Sequence, residues 1–130
     1  MSAVLGIGHE SQARLADLLV LAEHGLRSAG LMPADISAVA SIDTRRESGL
    51  VAALARHFNV PAYYFPAARL ELETPRLMHP SPALFQRIGC HGVAEAAALA
   101  AAGPNATLVL TKTKGAGITC AIAQSGANRR

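Results

Sequence analysis

Ala3-Val4-Leu5-Gly6-Ile7-Gly8-His9-Glu10-Ser11 is the stretch whose reading decides the fold. Ala3 to Ile7 is a short apolar run of strand length, and Gly6-Ile7-Gly8 reads as its delivery into a glycine turn. Ser11 stands where a helix cap would, ready to accept a backbone N–H. Leu15, Leu18, Leu19, Ala22 and Leu26 recur at helical spacing, which gives that helix one buried face. Gly30 suits the position just past its end, and Pro33 blocks continuation. Ile36 to Ile42 is a second apolar run, bounded by Asp35 and Asp43. With the helix as a crossover, this second strand lies parallel to the first. The same strand–glycine–helix order opens nucleotide-binding units, but the third glycine of the dinucleotide fingerprint is absent. The helix N-terminus remains suited to an anion.

Leu50, Val51, Leu54 and Phe58 mark a second helix, which Asn59 ends and Pro61 prevents from extending. Ala62 to Phe65 reads as a third strand and Pro66 to Leu72 as a turn of helix. Glu71 to Ser81 contains Thr74-Pro75 and His79-Pro80-Ser81-Pro82. Residues before proline avoid the helical region, so the stretch reads as an extended loop, either a lid or binding loop or a plain connector. Ser81 and Pro82 form a cap and first-turn pair for a helix to Ile88, which Gly89 stops. Cys90-His91-Gly92 is a hinge into an alanine-rich helix, Val93 to Ala102, with Glu95 in its first turn, where the helix dipole favours a carboxylate. Gly103-Pro104 ends it. Thr107 to Leu110 and Ile118 to Ala123 then read as the strands of a closing hairpin. The expected architecture is a single α/β domain over residues 1–125. It is layered around a mostly parallel mixed sheet of about five strands with a C-terminal hairpin. Residues 126–130, ending in Arg129 and Arg130, read as a disordered tail.

Composition limits the function classes. The chain has 130 residues, 51% hydrophobic and 16% charged, which fits a globular domain able to bury a core without disulfides or metal. A net charge of +3 with no basic run and no interleaved aromatic platform does not call for nucleic acid. No apolar stretch is long and uncharged enough to span a bilayer, and no signal peptide is recognised. Cys90 and Cys120 show no metal-ligand spacing, so free thiols, no metal and a cytoplasmic location are expected.

The chemistry concentrates in two places. Lys112 and Lys114 are two apart, so a strand continuing through them puts both ammonium groups on one face. Gly115 and Gly117 allow a ligand to approach the main chain. A solvated lysine hairpin with turn glycines is the alternative reading of the same residues. Asp43-Thr44-Arg45-Arg46-Glu47 gathers charge where the second strand ends, and open α/β sheets bind ligands beyond the C-terminal ends of their strands. Equally, Asp43 and Glu47 would cap the next helix with the arginines solvated. His24 and His57 fall on helices as surface or boundary residues. His9 and His91 sit beside glycines, where either could act as an acid or base. Cys90 beside His91 is a weak nucleophile candidate, because adjacent residues rarely face each other. Cys120 reads as core.

These pieces occur in a recognisable order: Gly6-Ile7-Gly8; Ser41-Ile42-Asp43-Thr44-Arg45 with Gly49-Leu50; Ser81-Pro82; Gly92-Val93-Ala94-Glu95-Ala96-Ala97-Ala98-Leu99; and Leu110-Thr111-Lys112-Thr113-Lys114 with Ile118 to Ala123. The series resembles the CobE/CbiG C-terminal domain family of cobalamin (vitamin B12) biosynthesis, most like its stand-alone form, over roughly Val4 to Ala123. The resemblance implies a protein handling an anionic precorrin or corrinoid intermediate, as a carrier or accessory enzyme. In the two-part relative, cobalt-precorrin-5A hydrolase, the whole protein opens a ring-A lactone and releases a two-carbon aldehyde. This chain matches only the C-terminal part. It has His9-Glu10-Ser11 where the family often has Cys-Arg-Arg, and Arg45 where it often has lysine, which counts against hydrolase activity here. A corrin precursor is a flat apolar ring with a rim of carboxylates, so small residues and scattered cations suit it. The expected ligand-binding residues are Gly8, Arg45, Arg46, Lys112, Thr113, Lys114, Gly115, Gly117 and Thr119. Asp43, Glu95 and His9 are the acid–base candidates. No cofactor is expected. The alternative is a non-catalytic module docking onto another cobalamin-pathway enzyme, and a homo-oligomer is left open.

Overall fold

The computed structural model describes residues 2–125, and the tail expected over 126–130 lies outside them. Five strands form one sheet: β1 (Ala3–His9), β2 (Ile36–Ile42), β3 (Ala62–Phe65), β4 (Thr107–Gly115) and β5 (Ile118–Gln124), in the order β3-β2-β1-β5-β4. β1 pairs in parallel with β2 and β2 with β3, while β5 runs antiparallel to both β1 and β4. Four strands therefore point the same way and β5 alone is reversed. The expected mixed sheet and C-terminal hairpin are both present.

Helices cover both faces. α1 (Leu15–Ala29) and α2 (Leu50–Phe58) lie on one, where Leu5, Ile7, Val39 and Ile122 meet Leu18, Leu26, Val51 and Leu54. α5 (Ala94–Ala102) and the short α3 (Ala67–Glu71) lie on the other, against Val4, Ala40, Ile42 and Ala123. The split follows strand alternation: neighbouring residues of β1 face opposite layers. Each large aliphatic side chain so buried contributes about 1.5–3 kcal/mol. α4 (Pro82–Ile88) is different, with no buried residue.

The helix ends follow the local signals. Gly30 and Asn59 adopt the left-handed conformation that closes α1 and α2. Ser81 caps α4 by accepting the Leu84 N–H at 3.1 Å. Ser11 does not cap α1: the helix begins at Leu15, and the Ser11 hydroxyl donates to Gln12 Oε1 at 3.1 Å. Residues 43–48 form a 3-10 turn, so neither Asp43 nor Glu47 caps α2, and the Ser48 hydroxyl accepts the Leu50 N–H at 3.3 Å. Within the loop expected over Glu71 to Ser81, Thr74–Arg76 make a further 3-10 turn.

Gly6-Ile7-Gly8 is not a turn. β1 runs through it to His9. A Cβ on Gly6 would overlap the Ala94 carbonyl oxygen and stand 2.9 Å from Ala98 Cβ and N. The glycine and the alanines of α5 together let the helix backbone press onto the centre of the sheet. α5 shows no apolar stripe because it is buried nearly all round, with Ala94 to Leu99 inaccessible.

Candidate functional site

The parallel strands deliver their C-terminal ends to one edge of the molecule, and an open cleft of about 550 Å³ lies there. That volume is in the range of small-molecule sites. One wall is the hairpin. β4 continues through both lysines to Gly115, and Ala116 and Gly117 make a two-residue turn with φ of 54° and 75°. Two consecutive positive φ values define a type I′ turn, whose twist matches the paired strands. Lys114 pairs with Thr119, and Thr119 with Gly8, so these three form one row across β4, β5 and β1. Lys112 and Lys114 both line the cleft, as period two requires. Gly8 leaves the floor bare beside Thr119, whose hydroxyl donates to the Gly8 carbonyl at 3.4 Å.

The second wall is Ile42 with the 3-10 turn after β2. Arg45 Nε donates to the His9 carbonyl at 2.8 Å, which fixes the guanidinium and leaves its terminal nitrogens without a protein partner among the described residues. A guanidinium held by Nε presents its other edge for bidentate binding of a carboxylate. The third wall is α4, which contributes Ala83, Leu84, Arg87 and Ile88, with Val93 behind it. Arg45, Arg87, Lys112 and Lys114 thus surround a surface in which small and apolar residues predominate, and none makes an ion pair among the described residues. Among the described residues, Glu10 is the one carboxylate lining it.

The cleft unites seven of the expected binding residues: Gly8, Arg45, Lys112, Lys114, Gly115, Gly117 and Thr119. Arg46 and Thr113 stand elsewhere. The Arg46 guanidinium lies 4.4 Å over the Tyr64 ring, and the Thr113 hydroxyl donates to the Thr111 carbonyl at 3.0 Å. Of the acid–base candidates, His9 lines the cleft, and its Nδ1 is 2.8 Å from the Glu10 carbonyl. A carbonyl accepts only, so Nδ1 donates, and Nε2 lies 3.3 Å from the Ser48 hydroxyl. Asp43 is exposed and outside the cleft. Glu95 is buried, with both oxygens accepting backbone N–H groups from Met78, His79 and Lys112. Reading strand ends found the lysines and Arg45. It missed Arg87, Glu10 and Ser81, which only the placement of α4 and the hairpin tip brings in.

Around the cleft the remaining candidates are engaged. His91 hydrogen-bonds Glu71 through Nδ1 at 2.9 Å and stacks on Phe85 at 4.5 Å, and that bond holds the Glu71 carboxyl below its ordinary range. Cys90 is fully buried, and burial pushes its thiol up, away from the reactive thiolate. Cys120 lies in the core, its thiol pushed up to about 11 by burial. Among the described residues, no three His, Cys, Asp or Glu side chains are grouped to hold a metal ion. No described helix is long and apolar enough to cross a membrane.

Known proteins share this frame. Residues 3–123 match the family described as cobalamin synthesis G C-terminus. Protein CobE of Sinorhizobium sp is 46% identical over 120 residues, covering 92% of this chain and 78% of that protein. The crystal structure of CobE, a protein from the cobalamin (vitamin B12) biosynthetic pathway, superposes with a TM-score of 0.89 at 33% identity, covering 98% of this chain and 92% of that one. The cobalamin biosynthesis protein chiG from Agrobacterium tumefaciens str. C58 gives 0.70 at 26% identity, covering 96% and 99%. With the family match spanning residues 3–123, 46% identity to Protein CobE and the superposed fold, the chain belongs to the cobalamin synthesis G C-terminus family of cobalamin biosynthesis proteins.

Proposed function

We propose that this chain binds an anionic precorrin or corrinoid intermediate in the cleft at the strand ends. It does so as a carrier, or as an accessory enzyme related to the C-terminal part of cobalt-precorrin-5A hydrolase. One observation carries the reading: Arg45, Arg87, Lys112 and Lys114 line a single apolar-floored cleft with no ion-pair partner among the described residues. A flat macrocycle with carboxylates round its rim satisfies both halves of that description. Its faces lie against Gly8, Ile42, Val93 and Leu84, and its rim meets the cations. Each exposed contact contributes only about 0–1 kcal/mol, so affinity comes from several acting together. The carrier form is favoured over the enzyme, because of the three acid–base candidates only His9 lines the cleft, Asp43 standing outside it and both Glu95 oxygens being taken.

A second reading is a module docking onto another cobalamin-pathway enzyme. Leu72, Met78, Phe85 and Ile88 are exposed apolar residues on the segment that forms the cleft's α4 wall. Incubation with a panel of precorrin and hydrogenobyrinic-type pigments, followed by desalting, separates the readings. A coloured protein peak with unchanged pigment supports the carrier. Altered pigment supports an enzyme. Colourless protein with every pigment overturns the tetrapyrrole reading and leaves the docking module.

A further inference from the structure

We infer that Glu95 is a positioning residue that holds the two cationic walls of the cleft in register with each other. The inference rests on the cleft as the ligand site and goes beyond it, since Glu95 does not line the cleft.

The side chain is 2% exposed. Its Oε2 accepts the Lys112 N–H at 2.8 Å. Its Oε1 accepts the Met78 and His79 N–H groups, each at 3.0 Å. These donors belong to opposite walls. Lys112 lies where the β4–β5 register slips between Leu110 and Thr113. β4 is an edge strand, and an irregular edge leaves a backbone N–H in need of a partner. Glu95 supplies it, and so fixes the backbone from which Lys112 and Lys114 project. On the far side, Met78 and His79 lead directly to Ser81, the cap of α4, and α4 carries Leu84, Arg87 and Ile88 into the cleft. α4 buries no residue of its own, so its place depends on such tethers. One carboxylate, anchored in the buried α5, spans both.

The chemistry requires an acceptor on each oxygen. Glutamine offers one oxygen and an amide NH₂, which would face an N–H donor. Glu95→Gln can therefore hold one wall but not both.

Uroporphyrin I, a flat tetrapyrrole with acetate and propionate carboxylates round its rim, serves as the probe. Its fluorescence is titrated with the wild type, Glu95→Gln, Lys112→Ala and the double variant, alongside thermal melts. Glu95→Gln should weaken binding about three- to fivefold, comparable to Lys112→Ala. The double variant should lose less than the product of the two single losses, because part of the Glu95 loss runs through the Lys112 backbone. A folded Glu95→Gln with lowered melting temperature and affinity within about twofold of wild type makes Glu95 merely structural and overturns the proposal, as does a double variant whose losses multiply. Hydrogen exchange of the Lys112 amide reads the same coupling without a ligand, and without the variant if Glu95→Gln does not fold. Slow exchange in the wild type supports it. Exchange as fast as an unprotected edge amide overturns it, whatever the pigment does. A wild type that binds no uroporphyrin while its Lys112 amide is protected counts against the cleft's ligand, not against the hold of Glu95 on the two walls.

Discussion

Replacing Gly6 by alanine should cost more stability than its small size implies. The added methyl would overlap the Ala94 carbonyl oxygen and lie 2.9 Å from the backbone nitrogen and Cβ of Ala98. The obstacles include backbone atoms of α5, so no rotamer change relieves them and the helix must move off the sheet. Overpacking of this kind costs about 1–3 kcal/mol, and a rigid obstacle belongs at the upper end. Alanine recovers about 0.4–1 kcal/mol by restricting the unfolded chain. The net expectation is a loss of about 2 kcal/mol, or a fall in Tm of about 8 °C for a domain of this size. Gly8→Ala is the internal control. Its methyl would meet Thr119 Oγ1 at 2.7 Å, an atom that can rotate away, and Val93 Cβ at 3.3 Å, an approach that a shift of a few tenths of an ångström relieves. Its cost should stay below about 1 kcal/mol. Urea denaturation followed by circular dichroism measures both, with unchanged m-values expected. A Gly6→Ala protein within about 0.5 kcal/mol of wild type, or a Gly8→Ala protein less stable than Gly6→Ala, would refute the account of how α5 seats on β1.

Two further substitutions test separate parts of the fold. Glu73 is buried among Arg69 and Arg76; burial pushes its carboxyl up, but hydrogen bonds from Arg69 and Arg76 outweigh this and leave it below its ordinary value of 4.5. A lowered folded value stabilises above the unfolded value and is lost as pH falls through the folded one. Glu73→Gln should therefore be about 1–2 kcal/mol less stable than wild type at pH 7, with the gap closing as the pH is taken below about 4, as measured by urea titrations across that range. In the hairpin, Ala116 holds a φ of 54°, unfavourable for alanine and tolerated by asparagine. Ala116→Asn should raise stability by about 0.5–1 kcal/mol in the same assay, and a loss would contradict the type I′ assignment.

Much of this fold is legible locally. Gly30, Asn59 and Ser81-Pro82 mark helix ends by signals that act within a few residues, and the structure places ends at each. Lys114 is legible because the pairing is regular from Thr113 to Gly115, and Lys112 joins it in the cleft although it lies at the register slip just before. What was misread depends on contacts distant in sequence. A glycine that permits a turn and one that admits a helix backbone look alike, so Gly6-Ile7-Gly8 read as a turn although α5 lies on it. Ser11 has a cap's identity, but the chain delays the helix to Leu15. Arg87 belongs to the cleft only because the exposed α4 folds back over the strand ends, and nothing near it in sequence reports that. Arg46 and Arg45 are neighbours with equal claims on composition. Only the structure sends one over Tyr64 and ties the other to the His9 carbonyl.

The central claim is that the cleft's cations hold a carboxylate-rimmed tetrapyrrole. The most direct measurement is the dissociation constant of a hydrogenobyrinic-type pigment for the wild type and for Lys112→Ala/Lys114→Ala, at low and high salt. Both lysines are on the hairpin surface and outside the core, so the melting temperature should stay unchanged. The account predicts a loss of about tenfold or more at low salt, shrinking as salt screens the wild-type contacts. Equal affinities for the two proteins at low salt would contradict it.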